Sequence, residues 1–372
     1  MLLRRTSQKQ RYAFLDALRA IAALGVVLFH AIEGGHIPTL IAALPAWFGS
    51  IFEICGLGVA IFFPLSGFVI ANSVYERRLT LPSVGRFMLR RAVRLDPPYW
   101  AAIMIVLAFA VLSSLVVKGK ALPEISGGQM LAHLVYAQDL LGYPQINAVF
   151  WTLCLEIQFY FVYVMLLWLS GNDPDKPLQG RATAAALVIA GLVGLLWAAG
   201  IVEGTPWPGL FLPLWSTFFV GVAAYWAWRN PQAVVPFLVF AGIMAVAAVM
   251  RGQWFFLVST ITALSIWLVG IRGRLATMLN WRWLQFLGIV SYSLYLTHNP
   301  ITGAVFRIGS MFPGRGPLWE GLWWLVSIAA CVVFAALLWW IVERPSIALA
   351  RRISLSATPR RLIAPEPDRS GT

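Results

Sequence analysis

The first apolar stretch of the chain, residues 14–30, contains three ionisable residues, Asp16, Arg19 and His30. Such groups are costly in apolar surroundings, and Arg19 and His30 are the two that could do chemistry. Eleven positions are about three turns of an α-helix, so the two side chains share one helix face with a rise of ~16 Å between them. A guanidinium binds anionic groups, and a histidine, with an ordinary pKa of about 6.5, can take a proton from a hydroxyl. Asp16, one turn before Arg19, can hold the guanidinium in an i,i+3 pair. The spacing indicates an anion-binding group and a candidate general base, with a structural ion pair and a hydrogen-bonded histidine as the alternative.

Two further ionisable residues lie inside apolar stretches. Glu156 is seven residues into one stretch and His298 is fourteen residues into another, which places both in the same membrane layer as His30. A carboxylate that is hydrogen-bonded to a histidine fixes the tautomer of the ring and stabilises the imidazolium. Glu156 is therefore predicted either to orient His30 or to bind a substrate. For His298, a hydrogen bond between helices is as simple an explanation as a contact with substrate.

A cluster of basic side chains follows the second apolar stretch. Its members are Arg86, Arg90, Arg91 and Arg94. The planar guanidinium forms paired hydrogen bonds with phosphate, which a lysine cannot do. The cluster is therefore a candidate phosphate-binding group, although arginines that only fix the topology and contact lipid headgroups would follow the same pattern.

The second apolar stretch itself contains Pro64, Ser66 and Gly67. Proline removes a backbone donor and glycine frees the chain, so these residues are predicted to interrupt the helix. An interrupted helix exposes backbone N–H groups that can bind a carbonyl oxygen. An ordinary proline kink is the alternative.

Apolar stretches dominate the composition. Of the 372 residues, 60% are hydrophobic and 12% are charged, and the mean hydropathy is +0.77. A spanning helix needs about 20 apolar residues, so the sequence predicts an all-α integral membrane protein with about ten transmembrane helices. The stretches are continuous rather than alternating, which excludes an outer-membrane barrel. The predicted spans are 14–31, 50–75, 98–117, 149–169, 183–203, 209–228, 233–250, 253–271, 284–307 and 320–342.

The basic residues are distributed unequally between the two sides of the membrane. With a cytoplasmic N-terminus, the inner segments contain 22 of the 28 Lys and Arg residues and the outer segments contain five, while Arg19 lies within the first span. Since cytoplasmic loops carry such an excess, both termini are predicted to be cytoplasmic in a multi-pass protein of the plasma membrane, the inner membrane of a bacterium. This bias explains the net charge of +13 without a nucleic-acid partner.

The remaining organisation is simple. Residues 1–350 are predicted to form one transmembrane domain, and residues 351–372 form a polar cytoplasmic tail, rich in Arg and Pro, that is expected to be disordered. The three cysteines, Cys55, Cys154 and Cys331, all fall within predicted spans. Buried thiols commonly act as small apolar groups, so neither a disulfide nor a metal site is expected.

Six segments, in this order, resemble the motifs of the acyltransferase family 3 membrane proteins. The first is LDALR at 15–19, whose arginine is separated by ten residues from His30. The others are FFPLSGF at 62–68, RRAVRLDPPYW at 90–100, WTLCLEIQFY at 151–160, SYSLYLTH at 291–298 and ERP at 343–345. Any one of these would be weak evidence, but six in order over residues 11–350 make the resemblance specific.

The resemblance implies an O-acyltransferase that takes an acyl group, most commonly acetyl, from acyl-coenzyme A. The acceptor would be a hydroxyl of a cell-surface or secreted glycan, such as lipopolysaccharide or exopolysaccharide. In this interpretation His30 is the general base, assisted by Glu156, and no metal takes part. The residues assigned to the acyl-coenzyme A donor are Arg19, Arg90, Arg91, Arg94 and Ser66. A transporter or flippase of lipid-linked sugars is the alternative, since it too needs polar groups at the membrane midplane.

The longest outer loop, residues 118–148, is a candidate roof over the acceptor. Its leucines and Met130 predict a short amphipathic helix at the membrane interface. Asn147 and Gln138 are the candidate sugar ligands in this loop, although covering the protein surface is the simpler role for the loop. His298 and Tyr295 from the ninth span are further candidates, with packing as the simpler role for the tyrosine. The sequence names neither the glycan nor the oligomeric state.

Overall fold

The computed structural model describes residues 11–74, 79–117, 119, 121–171 and 177–354, and these residues form an all-α protein. The predicted tail lies outside the described residues from position 355 onward, while Arg351 and Arg352 end the last helix. The α-helices in chain order are α1 (Ala13–Glu33), α2 (Pro38–Ala43), α3 (Ala46–Gly56), α4 (Gly58–Val74), α5 (Leu81–Val116), α6 (Gly127–Leu134), α7 (Trp151–Leu169), α8 (Pro177–Ala198), α9 (Trp215–Arg229), α10 (Val234–Met250), α11 (Trp254–Ile271), α12 (Arg282–Gly309), α13 (Pro317–Leu338) and α14 (Arg344–Arg352).

Each of the ten predicted spans coincides with helix in the structure. Eight helical stretches of the described chain are long and apolar enough to cross a membrane. The other two predicted spans are α9, which has only 15 residues, and α12, whose buried face carries several hydroxyl groups and His298. The all-α membrane architecture is confirmed, whereas ten crossings and the cytoplasmic termini stay predictions.

Helix α1 packs against α3, α4 and α12. Its contact face is built from alanines that are almost completely buried, including Ala17, Ala20 and Ala23. Small residues let helix backbones approach closely, and Gly288 of α12 accordingly lies against the backbone of Asp16. The close contact between α1 and α12 fixes the positions of the polar side chains on both helices.

The predicted interruption at Pro64 is wrong. Helix α4 continues through Pro64, and the break in the second span lies earlier, at Leu57 between α3 and α4. The reason lies in the packing of α4 on α9. A Cβ on Gly67 would overlap the backbone carbonyl of Phe218, and a Cβ on Gly221 would overlap the backbone of Pro64. The glycines therefore allow close helix packing and do not break the helix.

The loop between α5 and α7 contains the predicted short helix, α6. It lies along α5, because the indole of Trp100 donates to the carbonyl of Leu134 over 3.1 Å and the hydroxyl of Tyr136 donates to the carboxylate of Asp96 over 2.9 Å. Leu131 is exposed, as the amphipathic pattern predicts. The loop is thus attached to the bundle next to the site described below.

Candidate active site

Two histidines from different helices meet in the bundle. The Nδ1 atom of His30 in α1 lies 3.2 Å from the Nε2 atom of His298 in α12. The Nδ1 atom of His298 lies 2.9 Å from the carbonyl oxygen of Tyr295, and the Nδ1 atom of His30 lies 2.9 Å from that of Val26. His298 is completely buried. The pairing of helices α1 and α12 therefore brings together two residues that the sequence placed only in the same layer.

The second ring nitrogen of His30 faces the more open side of the pair. Its Nε2 atom lies 3.4 Å from a carboxylate oxygen of Glu33, one turn further along α1. The His30 side chain is 14% exposed and the Glu33 side chain is 58% exposed. A hydroxyl can thus approach His30 from this side.

Three arginines line a cavity of about 120 Å³ between α1, α4, α5, α7 and α12. They are Arg19, Arg91 and Arg94, and the carboxylates of Glu156 and Glu343 line the same cavity. Arg90 and Arg86 are not among its lining residues. Two members of the predicted arginine cluster therefore face the cavity together with Arg19.

Arg19 keeps the predicted partner. Its guanidinium lies 3.4 Å from one carboxylate oxygen of Asp16, whose other oxygen accepts from the Nε atom of Arg11 over 2.6 Å. Arg91 lies over the ring of Tyr160, with 4.7 Å between the guanidinium carbon and the ring centre. These contacts fix the two arginines while leaving them at the cavity surface.

Glu156 does not contact His30, contrary to the hypothesis from the sequence. Its carboxylate accepts a 2.5 Å hydrogen bond from the hydroxyl of Ser66 and another from the hydroxyl of Tyr160. Helix α7 begins deep in the bundle, where Phe150 packs against Tyr99, so that Glu156 falls at the level of the arginines. Ser66 and Glu156 thus belong to the cavity, and the partner of His30 is His298.

Tyr295 connects the cavity to the histidine pair. Its ring lines the cavity with Phe62, whose ring centre is 5.7 Å away, and also lies 6.1 Å from the ring of His298. The phenol is held by the carbonyl of Val149 at 3.0 Å and the hydroxyl of Thr152 at 2.9 Å. The two polar regions are therefore separated by one layer of aromatic side chains.

Asn147 lies against α12 and is engaged within the protein. Its amide donates to the carbonyl of Leu296 and accepts from the amide of Asn299, both over 3.3 Å. The neighbouring amide of Ile146 donates to Nε2 of His133 over 3.1 Å, which requires an unprotonated nitrogen. Burial accordingly lowers the pKa of His133. These bonds hold the loop against α12, and sugar binding by Asn147 stays a prediction.

The acyltransferase domain of acyltransferase family 3 matches residues 12–343. The chain belongs to this family.

Three relatives illustrate the range of similarity. Nodulation protein 10 of Rhizobium leguminosarum bv. viciae is 25% identical over 392 aligned residues, which cover 92% of this chain and 96% of the relative. Acyltransferase MdmB of Streptomyces mycarofaciens is 25% identical over 343 residues, with 84% of each chain covered. Peptidoglycan O-acetyltransferase OatA of Listeria monocytogenes is 23% identical over 384 residues, covering 92% of this chain and 57% of the relative. No solved structure matches the chain.

The cavity of this acyltransferase contains an acid that sequence reasoning did not select. Glu343 is 4% exposed and accepts a 2.6 Å hydrogen bond from the hydroxyl of Ser293. It ends a π-helical turn, Trp339–Glu343, and turns of this kind recur at functional sites. Both residues belong to the motifs at 291–298 and 343–345, so the motifs themselves were the signal. A carboxylate beside Arg19 and Arg94 reduces the net positive charge of the cavity.

Proposed function

We propose that this membrane acyltransferase moves an acyl group, acetyl in the commonest case, from cytoplasmic acyl-coenzyme A to a hydroxyl of a cell-surface or secreted glycan. The observation that carries the proposal is the arrangement along α1. Arg19 lines an arginine-rich cavity, and His30, three turns further, lies in a histidine pair near a more exposed side.

The cavity suits a phosphorylated donor. Its lining carries three guanidinium groups and two carboxylates, which leaves an excess of positive charge for phosphate oxygens. With the N-terminus inside, as the charge bias predicts, Arg19 is nearer the cytoplasm, where coenzyme A is made. The ~16 Å rise from Arg19 to His30 is then the distance that the thioester arm has to cover.

The chemistry requires one base. The acceptor hydroxyl oxygen attacks the thioester carbonyl carbon, and the C–S bond breaks as the new C–O bond is completed. His30 takes the hydroxyl proton and returns it to the departing thiolate, so that an ester and free coenzyme A are formed. The layer formed by Phe62 and Tyr295 must open for the thioester to reach His30, since both rings lie at the end of the cavity.

A glycan acceptor is supported by a relative and by the more open side of the histidine pair. The Listeria relative bears the name of a peptidoglycan O-acetyltransferase. Glu33, beside His30, is more than half exposed. A bulky glycan can therefore bring its hydroxyl to His30 without entering the cavity.

Transfer across the membrane gives a direct test. Purified protein in liposomes, with acetyl-coenzyme A enclosed and peptidoglycan fragments or a bacterial surface polysaccharide outside, should release coenzyme A inside and acetylate the glycan outside. Liposomes without protein, and liposomes with a His30→Ala variant, are the controls. If transfer requires both substrates on one side, the cross-membrane scheme is wrong. Movement of lipid-linked sugar without coenzyme A release would favour the transporter instead.

The arginines predict a specific kinetic change. Arg91→Ala should raise the KM for acyl-coenzyme A about 10- to 100-fold with little effect on the KM for the acceptor, because a hydrogen bond to a charged group contributes about 1.5–3 kcal/mol. Arg86→Ala is the matched control, since Arg86 lies on the same helix and does not line the cavity. If both variants changed the KM for acyl-coenzyme A equally, Arg91 would have no specific role in donor binding and would only help to fix the membrane topology.

A further inference from the structure

The protons of the histidine pair can be assigned from their partners. A carbonyl oxygen only accepts, so the Nδ1 atom of His298, which lies 2.9 Å from the carbonyl of Tyr295 and 3.2 Å from that of Leu294, must carry the hydrogen. In the neutral ring, Nε2 then carries the lone pair. This is the atom that faces His30.

The same reasoning applies to His30. Its Nδ1 atom lies 2.9 Å from the carbonyl of Val26 and 3.2 Å from Nε2 of His298, and both partners are acceptors. The hydrogen of His30 is therefore on Nδ1, shared between the two. The lone pair of His30 is left on Nε2, which faces the more exposed side near Glu33.

We propose that His298 is a positioning residue that, together with the Val26 carbonyl, holds His30 in the tautomer and orientation required of the base. This inference rests on the proposed function only for its kinetic consequence. When Nε2 of His30 takes a proton, the Nδ1–H group still donates to His298, and the new N–H group faces the Glu33 carboxylate at 3.4 Å. Both N–H groups of the imidazolium thus have acceptors. His298 is fully buried and its own N–H donates to backbone carbonyls, so it accepts without taking up charge.

The kinetic test compares two replacements of His298. His298→Phe keeps a ring but removes the acceptor, and it should lower kcat about 10- to 100-fold while the KM for acyl-coenzyme A stays within about twofold. His298→Gln supplies an amide oxygen at a similar distance from the backbone. Its kcat should be about tenfold higher than that of His298→Phe. A fall in kcat that is equal in both variants, or a His298→Phe variant with more than half of the normal kcat, would overturn the proposal.

A spectroscopic test does not depend on catalysis. The sequence contains only four histidines, so nitrogen-15 NMR of histidine-labelled protein can be assigned with single His→Gln variants. His30 should carry its hydrogen on Nδ1 in the unmodified protein, where both the Val26 carbonyl and His298 accept it. In His298→Phe only the Val26 carbonyl remains, so a measurable fraction of His30 should carry the hydrogen on Nε2 instead. An unmodified protein with His30 protonated at Nε2 would refute the positioning role. If His298→Phe does not fold, the unmodified protein should show a scalar coupling between Nδ1 of His30 and Nε2 of His298 across the shared hydrogen, and absence of this coupling would refute the positioning role. If NMR shows the expected tautomer of His30 but the protein transfers no acyl group, the proposed function is refuted. The pairing of His30 with His298 is then unaffected.

Discussion

Replacing His30 by alanine should lower acyl transfer by 10²- to 10⁴-fold, the range that a general base contributes. The Nε2 atom of His30 faces the more exposed side and is free to take a proton from the acceptor hydroxyl. The Nδ1 atom is already engaged with Val26 and His298. The side chain is 14% exposed, so the variant is also compared with the unmodified protein by thermal unfolding, to separate loss of the base from loss of the fold. Turnover is measured as coenzyme A release with acetyl-coenzyme A and glycan.

His36→Ala is the matched control for this prediction. His36 follows α1 in the connection to α2, and its ring stacks on Phe306 with 4.7 Å between ring centres. It should keep nearly full activity. A His30→Ala variant with more than about a tenth of normal turnover would contradict the base assignment. An acyl mass on the α1 peptide after rapid quench, with donor alone, would instead make His30 the nucleophile.

The sequence was sufficient for those parts of the fold and site that depend on a single helix. Continuous apolar stretches predicted ten spans, each of which overlaps helix in the structure, because lipid demands about 20 apolar residues in each span. Helical periodicity placed Arg19 and His30 on one face and Asp16 beside the arginine, and the structure contains that ion pair. These statements needed no knowledge of neighbouring helices.

The parts that failed depend on how the helices pack. The depth of Glu156 was counted from the outer end of its span, but α7 starts inside the bundle, against Tyr99, and the glutamate reaches Ser66 and the arginine cavity. The pairing of His30 with His298 joins residues 268 positions apart, and no local pattern specifies such a contact. Contacts between side chains of different helices therefore could not be predicted before the helix packing was known.

The second large effect concerns the contact between α4 and α9. Gly67→Ala should lower the free energy of unfolding by about 1–3 kcal/mol or more, the usual cost of overpacking, because the new methyl group would overlap the backbone carbonyl of Phe218. A backbone atom cannot rotate away as a side chain does. Gly221→Ala should have a similar effect, since its methyl group would overlap the backbone of Pro64.

The control for these variants is Gly242→Ala in α10, where a Cβ meets nothing within 4 Å. That change should be neutral or stabilise the protein by up to about 1 kcal/mol, because alanine is the better helix former. Unfolding in detergent can be followed with a thiol-reactive dye, as Cys154 and Cys331 are free and completely buried in the folded protein.

Gly67→Ala should also impair catalysis, because Gly67 belongs to the motif that lines the cavity. Gly67 directly follows Ser66, which donates to Glu156 in the cavity, and it lies on the helix that carries Phe62 at the end of the cavity toward the histidine pair. If α4 moves away from α9 to admit a methyl group, Ser66 and Phe62 move with it. We expect Gly67→Ala to lose at least tenfold in kcat at temperatures where it remains folded. If Gly67→Ala and Gly242→Ala unfold at the same temperature and turn over equally fast, the close contact of α4 with α9 is wrong, and Gly67 has no part in positioning the cavity.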